Sequence, residues 1–337
     1  MILWTLAIAV VVAIGLGSWS TLSEGRIQAE GWRYLIVGGL ARGSVYAIIA
    51  VGYTLVYGIL FMINFAHGEV MMAGAFSTLF VAQALDESGL FDSSPVLSIA
   101  IMFASSMLIS TLVAVALERI AYRPLRGAPR LVTLITAIGA SLFIQYTFFG
   151  LFGASSIAYP EIELLQGGVL AGFMSRKQMI VIVGAAILMI ALYLFIGRTK
   201  AGRAMRAVGE DRETASLMGI DVDRVVVRTF ALSGLLAGAA GLLFVFIFNQ
   251  VRFFMGVVPG IKAFTAAVLG GIGNVVGAAV GGLLLGVIES VGPILFLSGV
   301  DVPSPNQLQP VIAFGVLVLV LIFRPAGILG SSEEASR

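Results

Sequence analysis

The chain has 337 residues, 59% of them hydrophobic and 11% charged, with a mean hydropathy of +1.05. No soluble domain of this length needs that much apolar surface, whereas a bundle of lipid-facing helices does. The net charge of +2 is interleaved with acids and apolar runs, so it does not imply nucleic-acid binding; zero cysteines and a single histidine exclude disulfides, thiol chemistry and multi-histidine metal or proton-relay sites.

Residues 2–18 are apolar, with no Lys or Arg before them and small residues at Ser18 and Ser20. They read as a retained first helix or as a signal peptide, and either leaves residue 30 outside. Residues 1–33 are therefore set apart from a membrane domain at 34–330 and a tail at 331–337. A span over 34–57 is followed by residues 58–69, GILFMINFAHGE, where Asn64, His67 and Glu69 interrupt the apolar pattern between glycines. A helix break of this kind frees backbone groups, which membrane proteins tolerate only where protein or a watery cavity satisfies them. Asn64, His67 and Glu69 are thus candidates for a gate or solute contact, or else for hydrogen bonds that only hold the break. Residues 70–85 return outward, and 86–95 carry three acids and no base, as an external loop should.

Residues 96–117 come back to a basic loop ending near Arg130, 131–151 go out carrying Gln145, 154–177 are external, and 179–196 return. Next comes residues 198–228, which hold 12 of the 38 charged residues, seven of them basic. Each Arg or Asp at a bilayer centre costs about 2.5–3.5 kcal/mol, so the stretch belongs in water, and its Lys/Arg excess puts it in the cytoplasm. Within it, residues 204–208 and 213–218 read as short helices ended by Gly209 and Gly219, with Asp211 able to cap the second.

Beyond it, 229–248 go out and 259–269 form a short apolar segment. The run GGIGNVVG at 270–277 breaks the segment at Asn274, which like the first break is a candidate for the translocation path or gate, or else an amide that only satisfies freed backbone groups. Residues 278–291 continue past Glu289, a carboxylate that is costly in lipid unless paired or hydrated; it reads as facing a pathway or sitting near the outer surface. Residues 310–323 return. Residues 34–127 and 257–327 share one layout of span, Gly/Asn-rich break, span, external loop and span ending in Arg-Pro, which reads as a parallel internal repeat. The expected fold is an all-α polytopic transmembrane bundle of about 9–10 spans with broken helices.

No Gly-Lys dipeptide occurs, so no phosphate-binding P-loop exists in the chain, and no nucleophile and base stand in a recognisable arrangement. The chain reads as a conduit driven from elsewhere rather than an enzyme, and no cofactor or metal is expected. An ion-coupled secondary transporter is the alternative, with Glu69 and Glu289 as its only acids well inside spans.

Four stretches carry a resemblance. MINFAHGEVMMAGA (62–75), ERIAYRPLR (118–126), GRAMRAVGEDRETASLMGIDVDRV (202–225) and KAFTAAVLGGIGNVVGAAVGGLLLGVIE (262–289) resemble segments of the branched-chain amino acid permeases of ABC importers. Glu213-Thr-Ala215-Ser-Leu-Met-Gly219 fits the importers' E-A-A-x-x-x-G coupling motif with Thr214 at its second position; the motif's downstream Ile-x-Leu-Pro is missing. The resemblance implies a multi-pass protein of the bacterial inner membrane, working with a second homologous permease, two cytosolic ATPase subunits and a periplasmic or extracellular solute-binding protein. It implies ATPase coupling at Arg203, Arg212, Glu213, Ala215 and Gly219, and as solute a branched-chain or related amino acid, with urea or short amides as the alternative.

Overall fold

Where lipid replaces water, a long apolar chain can satisfy its backbone only by coiling on itself. The computed structural model describes residues 2–330 apart from 26, 170, 171, 301 and 325; the expected tail at 331–337 and the proline of the last Arg-Pro pair lie outside the described residues. The described elements are α1 (Ile2–Ser23), α2 (Ala29–Leu60), α3 (His67–Glu87), α4 (Leu90–Ser93), α5 (Pro95–Leu117), α6 (Arg130–Phe152), α7 (Arg176–Arg198), α8 (Lys200–Glu210), α9 (Arg212–Leu217), α10 (Val222–Phe248), α11 (Val257–Gly270), α12 (Val275–Leu297) and α13 (Gln309–Phe323). Eight helical stretches are long and apolar enough to cross a membrane: α2, α3, α5 continued to Leu125, α6, α7, α10, α12, and Pro305–Phe323, which ends in α13; α1 is a further apolar helix of 22 residues, and α11, with 14, is shorter. The expected polytopic bundle with broken helices is what the chain forms.

The core is built on small residues. Helices α2 and α12 run against each other so closely that a Cβ on Gly286 would lie 2.2 Å from the Gly43 Cα, and one on Gly282 2.3 Å from the Ala47 Cα. Without water to drive apolar burial between spans, such backbone contact is a main source of helix affinity in lipid. Helices α5 and α10 approach in the same way, and Ser106 donates to the Gly238 carbonyl at 2.7 Å. Helices α6, α7 and α13 instead keep large apolar side chains outward, among them Phe143, Ile187 and Ile322.

Two short strand pairs lie outside the helices. β1 (Ile157–Ala158) pairs antiparallel with β4 (Gln250–Val251), and β2 (Gly168–Val169) with β3 (Met174–Ser175). At the other end of the bundle the two basic loops meet: Arg123 reaches Asp223 at 2.9 Å, and Arg126 pairs with both Asp223 and the fully buried Glu118.

The charged stretch differs from its sequence reading in two ways. It is not a loop throughout, because Asp221 caps α10 and draws residues 222–228 into that helix. Gly209 does not end the first short helix. Helix α8 starts at the Thr199 cap and runs through Gly209 to Glu210; a Cβ on Gly209 would lie 2.7 Å from the Gly58 carbonyl, so that glycine serves close packing.

Candidate functional site

The first break separates α2 from α3. Phe61 ends α2 in the left-handed region, φ 53°, its N–H donating to Tyr57 at 2.8 Å. Asn64 is buried in the turn, where its Oδ1 accepts from the Ala66 N–H at 3.1 Å and the Tyr122 hydroxyl at 2.6 Å. His67 and Glu69 are not in the turn: they form the first turn of α3, both 1% exposed. The His67 Nδ1 lies 3.3 Å from the Ser233 hydroxyl, which itself donates to the Gly52 carbonyl at 3.0 Å, and its ring meets Tyr53 edge-on at 4.8 Å. The Glu69 Oε1 accepts from Gln145 at 2.8 Å and Ser141 at 3.5 Å, and its Oε2 has no hydrogen-bond partner among the described residues. Gly68, between them, lets α11 approach: a Cβ on Gly256 would lie 2.3 Å from the Gly68 carbonyl.

This polar cluster draws its members from the α2–α3 turn, α3, the helical turn Glu118–Tyr122 that continues α5, α6 and α10. Of the partners, Gln145 was visible as a polar residue in an apolar span. Tyr122, Ser141 and Ser233 were not, because single hydroxyls in apolar helices ordinarily bond their own backbone.

The second break, between α11 and α12, is built otherwise. Gly271 and Gly273 take φ of 109° and 102°, and Asn274 caps α12 through the Gly277 N–H at 3.0 Å. The C-terminal segment closes it: Ile328 and Leu329 donate to the Leu269 and Gly270 carbonyls, and Asn274 donates to Leu329 at 3.0 Å. Asn274 is thus a cap, partly exposed, and does not join Asn64, His67 and Glu69.

Glu289 is far from both breaks along its helix. It is 2% exposed and paired with Lys262 of α11, 7% exposed. The lysine was the missed half; its signal was a lone base inside an apolar segment where the positive-inside pattern allows none.

In the charged stretch, Asp211 caps α9, accepting from the Glu213 and Thr214 N–H groups at 2.9 and 3.1 Å and from the Thr214 hydroxyl at 2.6 Å. These bonds, led by the one from the Thr214 hydroxyl, hold its carboxyl below the usual carboxylate range. Gly219 ends α9 at φ 84°, with Ile220 donating back to the Ala215 carbonyl at 3.0 Å. Arg203 and Glu213 are exposed. Ala215 is buried, so the close approach its size allows is to this chain's own Val56, Val225 and Phe230 cluster. Arg212 also turns inward, donating to the Ile59 carbonyl in the last turn of α2. The end of α9 presents outward Leu217 and the C-cap residue Met218, 87% and 78% exposed.

The sequence model of the family described as "Branched-chain amino acid transport system / permease component" matches residues 35–321. The chain is 42% identical over 314 residues to the high-affinity branched-chain amino acid transport system permease protein BraD of Pseudomonas aeruginosa, covering 90% of this chain and 98% of that one. It is 40% identical over 302 residues to the corresponding protein LivH of Salmonella typhimurium, covering 88% and 94%.

Proposed function

This chain belongs to the family of branched-chain amino acid transport permease components, and from that premise we propose that it forms the path by which branched-chain amino acids cross the bacterial inner membrane, driven by ATP hydrolysed on separate subunits. The chain is the membrane-spanning subunit of an ABC importer. Its partners in this reading are a second permease chain, two cytosolic ATPases and an external solute-binding protein.

The observation that carries the reading is α9. A six-residue helix capped at both ends and carrying two nearly bare apolar side chains on the aqueous side is out of place on a solvated loop. It suits insertion into a cleft on a soluble partner. Behind it, Arg212 holds the last turn of α2, whose end begins the Asn64–His67 break. A push on α9 therefore reaches the buried polar cluster through one side chain. Arg203 and Glu213 stand at the rim, where charges tune orientation more than affinity.

The test is reconstitution of the importer with the L217D/M218D double variant. Both side chains are solvent-exposed, so membrane levels and receptor docking should be kept, while ATPase association and ATP-driven uptake fall at least tenfold. Normal association and uptake in that variant would place the coupling surface elsewhere. Wild-type uptake that follows an imposed ion gradient and ignores ATP would overturn the importer reading itself.

A further inference from the structure

Beneath the aromatic side chains Phe244, Phe248 and Phe254 lies a cavity of ≈ 300 Å³, at the end of the bundle remote from α8 and α9. Its other described lining residues include Tyr46, Arg42, Arg252 and the Lys262–Glu289 pair. The volume is at the small end of ligand cavities, roughly 300–1,000 Å³, which suits one small molecule and no nucleotide or oligomer.

The ion pair is the unusual element. Lys262 comes from α11 and Glu289 from α12, and both are at least nine-tenths buried. Lys262 also sits 5.7 Å from the Tyr46 ring. A buried ion pair gives little net stability, and an apolar pair of the same volume would pack those helices as well or better. Charges kept inside a membrane bundle mark a functional site by default. The Glu289 Oε2 has no hydrogen-bond partner among the described residues, and the Tyr46 hydroxyl stands beside the same carboxylate. Among the described lining residues three are cationic and one is a carboxylate, so the cavity as a whole favours an added negative charge. The unused carboxylate oxygen favours an ammonium donor. The aromatic wall favours an apolar body.

We propose that this cavity is a solute subsite of the permease itself, taking one free α-amino acid with an apolar side chain. The solute carboxylate lies against the cationic groups, its ammonium donates to Glu289, and its side chain packs on Phe244 and Phe248. This rests on the importer reading above and adds to it that the permease, not only an external receptor, selects the solute. Helices α11 and α12 flank the second break, so a molecule bridging Lys262 and Glu289 also bridges the two arms of that break.

The test uses the complete importer in proteoliposomes, with leucine, valine and phenylalanine as probes. The charge swap K262E/E289K keeps an ion pair and the volume but reverses where carboxylate and ammonium can sit. It should assemble normally and raise the KM for leucine at least tenfold; wild-type KM in an assembled swap overturns the proposal. F248A leaves the ion pair intact and enlarges the apolar end, so uptake of phenylalanine relative to valine should rise severalfold. Unchanged selectivity in F248A overturns the proposal even where the swap fails to assemble. Wild-type importer that carries no amino acid under ATP would sink the functional reading, whereas good wild-type uptake with indifferent variants sinks only this subsite.

Discussion

The two helix breaks solve one problem in opposite ways. At the first, the buried side chains of Asn64, His67 and Glu69 are met by side chains from distant helices, Tyr122, Ser233, Gln145 and Ser141, and Arg212 meets the backbone at Ile59. At the second, glycines fold the chain back and a neighbouring backbone segment supplies the hydrogen bonds. A break held by backbone has one stable arrangement. A break held by side chains on several helices is sensitive to where each helix stands, and so can respond when one of them moves. We propose that the second break holds the fold and the first transmits movement, and single substitutions can separate the two roles.

The largest effect on folding should come from Gly271→Val. The position sits at φ 109°, and a Cβ there would lie 2.6 Å from the Gly330 nitrogen. Backbone strain of about 1–3 kcal/mol and a similar cost of overpacking should add, giving a large drop in Tm and in membrane yield. Uptake per molecule that does fold should stay near wild type. A stable Gly271→Val protein that fails to transport would move the responsive role to the second break.

His67→Ala should do the reverse. Losing the ring leaves the Ser233 hydroxyl its bond to the Gly52 carbonyl, so the loss of stability should be about 1–3 kcal/mol, mostly from the cavity. Uptake per folded molecule should fall at least tenfold, because the His67 contact to Ser233 of α10 is gone. Uptake that falls only in proportion to lost protein would make the first break as purely structural as the second.

Both breaks were legible in the sequence, since Gly with Asn, His or Glu inside an apolar run has few other readings, and so were the short helices of the charged stretch with the Asp211 cap. Three things were not. The boundary between turn and helix at His67 depends on tertiary contacts that bury its side chain. The inward turn of Arg212 and Ala215 could not be seen, because a motif names residues without saying which face they occupy; only the packed α8–α9–α10 corner decides that. The pairing of Lys262 with Glu289 spans 27 positions and two helices whose crossing is set by glycines, so the sequence showed two isolated charges where the fold makes one ion pair.

The smallest effect concerns the link between the first break and the cytoplasmic side. Arg212 can hold the Ile59 carbonyl only while α9 stays helical, and α9 begins at the Asp211 cap. The Asp211 carboxyl is held below its ordinary value of 3.8, first by the Thr214 hydroxyl and then by the Thr214 and Glu213 N–H groups. For a carboxylate depressed by folding, the stabilisation is present above the unfolded value and is lost as pH falls through the lowered one. Asp211 is fully solvent-exposed, so water and salt screen most of that contribution and the effect on global stability should be negligible. Local opening is a better readout. Asparagine can cap a helix without titrating, so the ratio of amide exchange at Thr214 between wild type and D211N cancels the intrinsic pH dependence. Wild type should be the better protected at neutral pH, and the advantage should vanish in acid below the ordinary carboxylate range. Amides of the second break, around Asn274, should show no such step. A ratio that stays flat into acid would mean that the charge on Asp211 does not hold α9, and would leave Arg212 and the buried Ala215 as its only anchors to the first break.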